Sequence, residues 1–228
     1  MDNPWKDLPA TSPRILPTDL PAIQAFNERY DGDFAIQTHL MPEPFIGSPD
    51  AAVYVLSLNP GYSPDDDLWH ENQEYSSAIS SSICHESMVI PFYFFDPLFA
   101  LSPGSRWWLR RCRRLINDVG QENLSRQLFC VELFPYHSRK YRQIPRSILP
   151  SKFVPSSAYT AQLVRQAVKQ NKQIVVMRAY RQWIKLVPEL AEYEQIHTMK
   201  NPRNVSFSPG NLSGYPAIVT AMKATSHQ

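Results

Sequence analysis

Apolar positions along the chain alternate between two spacings. Residues 51–58, 128–134 and 173–177 are short runs dominated by Val, Leu, Ile and Phe and bounded by polar or turn-forming residues. Runs of this kind predict strands of a parallel sheet that is buried on both faces. A fourth strand is predicted near 204–207, and a weaker alternation over 34–40 predicts an edge strand. Between these runs the spacing is helical. Thr18 or Asp19 is placed to cap a helix to about Tyr30, with Leu20, Ile23 and Phe26 on one face. Trp108, Leu109, Cys112, Leu115 and Ile116 recur along 107–119, where Gly120 ends the pattern. Ser156 or Ser157 is placed to cap a helix whose stripe is Tyr159, Leu163, Val164 and Ala167, and two more helices are expected over 180–187 and 215–224. Strands alternating with helices predict an α/β fold, with a mostly parallel central sheet of about four strands and helices on both faces.

With 228 residues, 43% of them hydrophobic, the chain suits a single domain with an ample core. We expect residues 1–228 to form one unit, in which 1–50 are an N-terminal extension packed on a core at 51–213. No apolar run is long enough for a membrane span, and the first residues, Met1-Asp2-Asn3-Pro4-Trp5-Lys6-Asp7, lack the basic and apolar parts of a secretory signal. Cys84, Cys112 and Cys130 lie far apart and form no CxxC pair. Reduced thiols in a cytoplasmic monomer, with no metal or cofactor, are therefore expected.

The net charge of +2 conceals a strong asymmetry. Residues 1–96 hold fifteen acids against three Lys/Arg, whereas 97–228 hold six acids against twenty. From 133 to 188 there are eleven Lys/Arg and no carboxylate side chain. A positive field so extended favours a polyanion, and a partner with closely spaced phosphates, single- or double-stranded DNA, fits it. Arg106, Arg110, Arg111, Arg113 and Arg114 crowd one predicted helix, and Arg139, Lys140, Arg142 and Arg146 crowd a later loop. Both clusters are candidates for phosphate contact.

Ligands of open parallel sheets bind off the carboxyl ends of the strands. Four loops should meet there: 58–64 with its Asn59-Pro60-Gly61, 135–138 with His137, 178–180 with Arg178, and 206–212 with Ser208-Pro209-Gly210. Val55-Leu56-Ser57-Leu58-Asn59-Pro60-Gly61 resembles the first motif of the Asn-type uracil-DNA glycosylases, in which a strand ends in Asn-Pro-Gly. Ser206-Phe207-Ser208-Pro209-Gly210-Asn211 is similar to their second motif, commonly His-Pro-Ser-Pro-x-Asn. The resemblance covers roughly 51–213. It implies a uracil-DNA glycosylase-like fold and removal of a base from DNA by water, with Asn59 helping to position that water. The second-motif loop, with Ser208, Gly210 and Asn211, would probe the minor groove.

The chain departs from the family at two places. Ser206 stands where many members have His, and Glu132 lies near a position where a plain Asn is expected. A changed pocket implies a changed base, a modified or enlarged one. Breaking an N-glycosidic bond leaves negative charge on the departing base, so donors must face it. His137, Arg178 and backbone amides near Gly61 are the candidates. A flipped base needs an aromatic partner, for which Tyr62 and Phe94, within the 92–95 cluster, are candidates. Glu132 and Ser206 complete the expected base pocket, and Glu132 could simply pair with Arg178. Arg139, Lys140 and Arg142 are the expected phosphate contacts. Two other readings accompany the glycosylase: a catalytically silent protein that holds flipped bases or abasic sites, suggested by Ser206, and a hydrolase of free nucleosides.

Overall fold

The computed structural model describes residues 2–224. Five strands form one sheet: β1 (Phe45–Gly47), β2 (Val53–Leu56), β3 (Leu128–Val131), β4 (Gln173–Val176) and β5 (Ile196–Thr198). Their spatial order is β1-β3-β2-β4-β5, with every neighbouring pair parallel except β1–β3. Eight α-helices occur among the described residues. They are α1 (Leu20–Arg29), α2 (Asp65–Glu71), α3 (Gln73–Ile83), α4 (Pro103–Val119), α5 (Gln121–Gln127), α6 (Ser157–Lys169), α7 (Tyr180–Leu186) and α8 (Tyr215–Ala224). Among the described residues no helix is long and apolar enough to cross a membrane.

Every residue of β2 and β3 is buried. Successive side chains of a strand point to opposite faces, so both faces of the sheet centre are covered. This is why the two strands read as continuous apolar runs. The parallel registers align Leu56 with Val131 on one side and with Val176 on the other. Consequently Ser57, Glu132 and Met177 leave the sheet side by side. Ser57 N–H donates to the Val131 carbonyl and Met177 N–H to that of Leu56, which continues the ladder one residue past each strand. The chain passes from β2 to β3 and then crosses to β4 on the other side of β2, a change of direction that opens a crevice at the strand ends.

Two predicted strands are absent. Of residues 34–40, Phe34 ends a short 3-10 turn (Gly32–Phe34) and the rest are irregular chain. There the Asn27 side chain takes the place of a neighbouring strand, accepting from Ile36 N–H and donating to the Ile36 carbonyl. The edge strand on that side is β1 instead, further along the chain at Phe45–Gly47. Residues 204–207 are a loop pinned by buried Val205 and Phe207, with Phe207 N–H donating to the Arg111 carbonyl, and the strand pairing with β4 is β5. The caps at the starts of α1 and α6 also differ. Neither Asp19 nor Ser156 caps its own helix with its side chain. They bind each other: Ser156 Oγ donates to Asp19 Oδ2 (2.6 Å) and Ser156 N–H to Oδ1 (3.0 Å), while Tyr136 Oη donates to Oδ2 (2.8 Å). With buried Trp5, Ile15, Leu16, Ile23 and Phe26, this buried knot ties the first thirty residues to the core.

Candidate functional site

A cavity of about 370 Å³ opens at the carboxyl ends of the three central strands. Of the residues singled out by sequence, Asn59, Gly61, Tyr62, Phe94, Glu132, His137, Arg139 and Arg178 line it. The strand register explains the convergence, since β2, β3 and β4 end at one level and hand these side chains to a common space. Trp107, Trp108 and Gly104 come from the start of α4, whose N-terminus is capped by Ser102 Oγ accepting from Ser105 N–H. Gly104 is required for this approach, because a Cβ there would run into the Phe94 ring.

Asn59 is held by its amide nitrogen. Nδ2 donates to the Pro60 carbonyl (2.7 Å) and to Ser138 Oγ (3.2 Å). Both bonds use the donor end, so the acceptor Oδ1 is the part left to orient a water or a ligand. His137 does not serve as a free donor into the cavity. It is buried, with Nδ1 2.7 Å from the Gly61 carbonyl and Nε2 3.1 Å from the Met41 carbonyl. Both ring nitrogens thus face backbone carbonyls, and the Glu43 carboxyl lies 3.9 Å from Nε2. His137 therefore clamps the Asn59-Pro60-Gly61 loop to the segment before β1.

Glu43, Asp66, Trp107, Trp108 and Tyr141 line the cavity without having been singled out by sequence. Burial pushes the Glu43 carboxyl up, against the charge of His137 and a hydrogen bond from Tyr93 Oη (2.8 Å). Burial likewise raises Asp66, which accepts from Ser63 N–H (2.7 Å) and so fixes the turn into α2. The triplet of acids at 65–67 was the one sequence signal for Asp66. For Glu43, between two prolines in irregular chain, there was none.

Donor atoms of Glu43, His70 and His137 lie within 4.8 Å of one another, near enough to suggest a metal ion. Met41 argues against it. Its N–H donates to His70 Nδ1 (3.1 Å) and its carbonyl faces His137 Nε2, so both imidazoles are committed to protons. Burial depresses His70 to about 2, which keeps its ring neutral and able to accept that N–H.

Glu132 is buried, and burial lifts its carboxyl to about 8. Glu43 adds to the rise, while Ser57, the Arg178 charge and Cys130 oppose it. The expected Glu132–Arg178 pair is not formed within salt-bridge distance. Instead Glu132 Oε2 and Arg178 Nε are both buried without a hydrogen-bond partner among the described residues.

The remaining expected contacts lie elsewhere. Ser206 is not in the cavity wall. With Ser208 it borders a second hollow, of about 270 Å³, beside Arg110, Arg111, Arg113 and Arg114 of α4. The backbone of 204–207 is held by Arg111 rather than by the sheet, which turns Ser206 toward that arginine face. Asn211 is spent on its own loop, accepting from Asn201 N–H (2.7 Å) and donating to the Asn204 carbonyl (3.1 Å); Gly210 is exposed. Lys140 pairs with Asp33 (2.7 Å), and Arg142 lies over the Tyr30 and Phe34 rings.

Comparison with protein-family models, with curated proteins and with solved structures gives no match to this chain.

Proposed function

We propose that the chain is a monofunctional DNA glycosylase, flipping a uracil-like or modified base into the cavity and hydrolysing its N-glycosidic bond. The observation that carries this reading is the convergence of Asn59, Glu132, Arg178 and Phe94 on one concave site at the strand ends. In the proposed reaction the C1′–N bond breaks and its electron pair goes to the base. A water held by Asn59 Oδ1 forms the new C1′–O bond, and the proton it gives up ends on the departed base anion, leaving an abasic site and the free base. Phe94, Tyr62 and the indole rings of α4 supply apolar surface for the extruded base. The arginine-rich face of α4 supplies phosphate contacts beside it.

The test is strand cleavage by alkali of labelled oligonucleotides and of modified-base DNAs after incubation with the protein. Base excision predicts alkali-labile sites that fall ~10²-fold or more in rate with Asn59→Ala, the scale of a lost positioned reactant. Salt-sensitive DNA binding without such sites on any substrate would overturn catalysis and leave the silent, base-holding reading. Turnover of free nucleosides without DNA binding would overturn both.

A further inference from the structure

The cavity is wider than a flipped base needs. Its lining comes from four neighbouring strands or the residues just past them: Ile46 of β1, Glu132 after β3, Asn59 after β2 and Met177 after β4. Four strands side by side span about 14 Å, roughly twice the width of a single-ring base. The volume of about 370 Å³ is likewise that of a pocket for a larger ligand, in the range of roughly 300–1,000 Å³. Building on the base-excision reading, we propose that the target base carries an amine-bearing side arm, whose ammonium group enters the β1 end of the cavity between Glu43 and Asp66.

Glu43, Ile46, Asp66 and Tyr75 line that end, and bond breaking at Asn59 makes no use of them. Both acids are more than nine-tenths buried. Glu43 Oε1 accepts from Tyr93 Oη (2.8 Å), whereas Oε2 makes no hydrogen bond among the described residues and stays accessible from the cavity. Asp66 accepts from Ser63 N–H through Oδ2 (2.7 Å) and retains acceptor capacity on Oδ1. Burial raises both carboxyls; His137 offsets part of the rise, and at Glu43 the charge of Asp66 adds to it. Two acids that oppose one another in a dry wall call for a cation. No Lys or Arg among the described residues pairs with either of them. His137 Nε2 comes no nearer to Glu43 than 3.9 Å and faces the Met41 carbonyl. The cavity's arginines stand on other segments, Arg178 after β4 and Arg139 half-exposed at the mouth.

A neutral hydroxyl arm would fill the same space but leave two carboxylate charges uncompensated away from water. An ammonium brings three donors together with the missing charge, and its hydrogen bonds to carboxylates are of the strong kind. The Phe94 ring and the Trp108 indole, both in the cavity wall, give apolar cover to the alkyl stem of the arm. The cavity is thus divided by charge, with Arg139 at the mouth, where phosphates pass, and the carboxyls at the β1 end.

The test compares oligonucleotides that differ at one position, which holds deoxyuridine, aminoallyl-deoxyuridine, or the latter with its amine acetylated. Acetylation keeps the arm and removes its charge. The rate of forming alkali-labile sites is measured for each with the full chain. The amine arm should be excised about tenfold faster than the acetylated arm, the scale of one hydrogen bond to a charged group, and faster than uracil. Glu43→Gln and Asp66→Asn should each bring the ratio of amine to acetylated arm towards one; because a ratio is read, a general loss of activity does not interfere. Equal rates for the two arms, a ratio unchanged in both variants, or excision of uracil alone would overturn the inference, the last leaving base excision standing. If neither variant folds, the ratio in wild type decides. If no oligonucleotide is cleaved, base excision itself has failed, and binding of the nucleosides aminoallyl-deoxyuridine and its acetylated form, followed by the fluorescence of Trp107 and Trp108, decides instead. A preference of about tenfold for the amine would uphold the cation subsite, and equal binding or none would overturn it.

Discussion

The raised Glu132 carboxyl makes a stability prediction that is independent of any substrate. In the unfolded chain this group titrates near its ordinary 4.5, and in the folded protein near 8. Between those values the folded state binds the proton and the unfolded state has lost it, so stability falls as pH rises through the window. The full span, at about 1.4 kcal/mol per unit, is about 4–5 kcal/mol; by pH 7 about 3 kcal/mol has been lost. That is a large fraction of the ~5–15 kcal/mol stability of an ordinary domain. Glu132→Gln retains the shape and one donor but cannot ionise. Its amide group beside the Cys130 thiol changes a hydrogen bond at a cost of about 1 kcal/mol, independent of pH. Urea unfolding of both proteins at pH 4.5, 7 and 8.5 isolates the effect, because the other titrating groups are shared. The variant should gain about 3 kcal/mol on wild type between pH 4.5 and 7, and a further ~1 kcal/mol by pH 8.5. A difference that stays constant within ~0.5 kcal/mol over this range would refute the burial argument.

Other substitutions test the rest of the site. His137→Ala removes the contacts to the Gly61 and Met41 carbonyls, at ~1–3 kcal/mol for each acceptor left unmet. Excision should fall more than tenfold in kcat with DNA affinity unchanged, and equal loss of both would show that the loop clamp is misread. Gly104→Ala sets a methyl against the Phe94 ring. Overpacking of ~1–3 kcal/mol exceeds the ~1 kcal/mol gained in helix propensity, so we expect a lower melting temperature and a raised KM. Asp19→Ala strands three donors, from Ser156 and Tyr136, and should cost ~3–5 kcal/mol in urea unfolding while making the first forty residues sensitive to protease. Replacing Arg110 and Arg113 by Ala should lower the slope of log affinity for DNA against log salt by about 1–2, without changing the binding of free uracil.

Where a single physical cause dominated a segment, the sequence was legible. β2 and β3 are buried on both faces, and nothing but apolar residues fits there, so their runs could be read directly. The last helix, Tyr215–Ala224, also fell where its pattern placed it. Reading failed where a distant side chain replaced local chemistry. Residues 34–40 have enough alternation for a strand, but Asn27 satisfies the backbone at Ile36. Ser156 looks like a cap, yet its hydroxyl and N–H go to a carboxylate 137 residues earlier in the chain.

By itself, the sequence determined the alternating α/β order, the loop Asn59-Pro60-Gly61 at a strand end and the positive second half of the chain. These follow from local spacing, turn chemistry and composition, which need no knowledge of neighbours. Only the tertiary structure decided that Glu43 joins the cavity, that Ser206 leaves it, and that His137 clamps a loop rather than facing a ligand. It also decided that Glu132 and Arg178 line one cavity without forming an ion pair. Protonation and hydrogen-bond partnership depend on burial and on atoms brought together from remote segments, and no pattern along the chain encodes those distances.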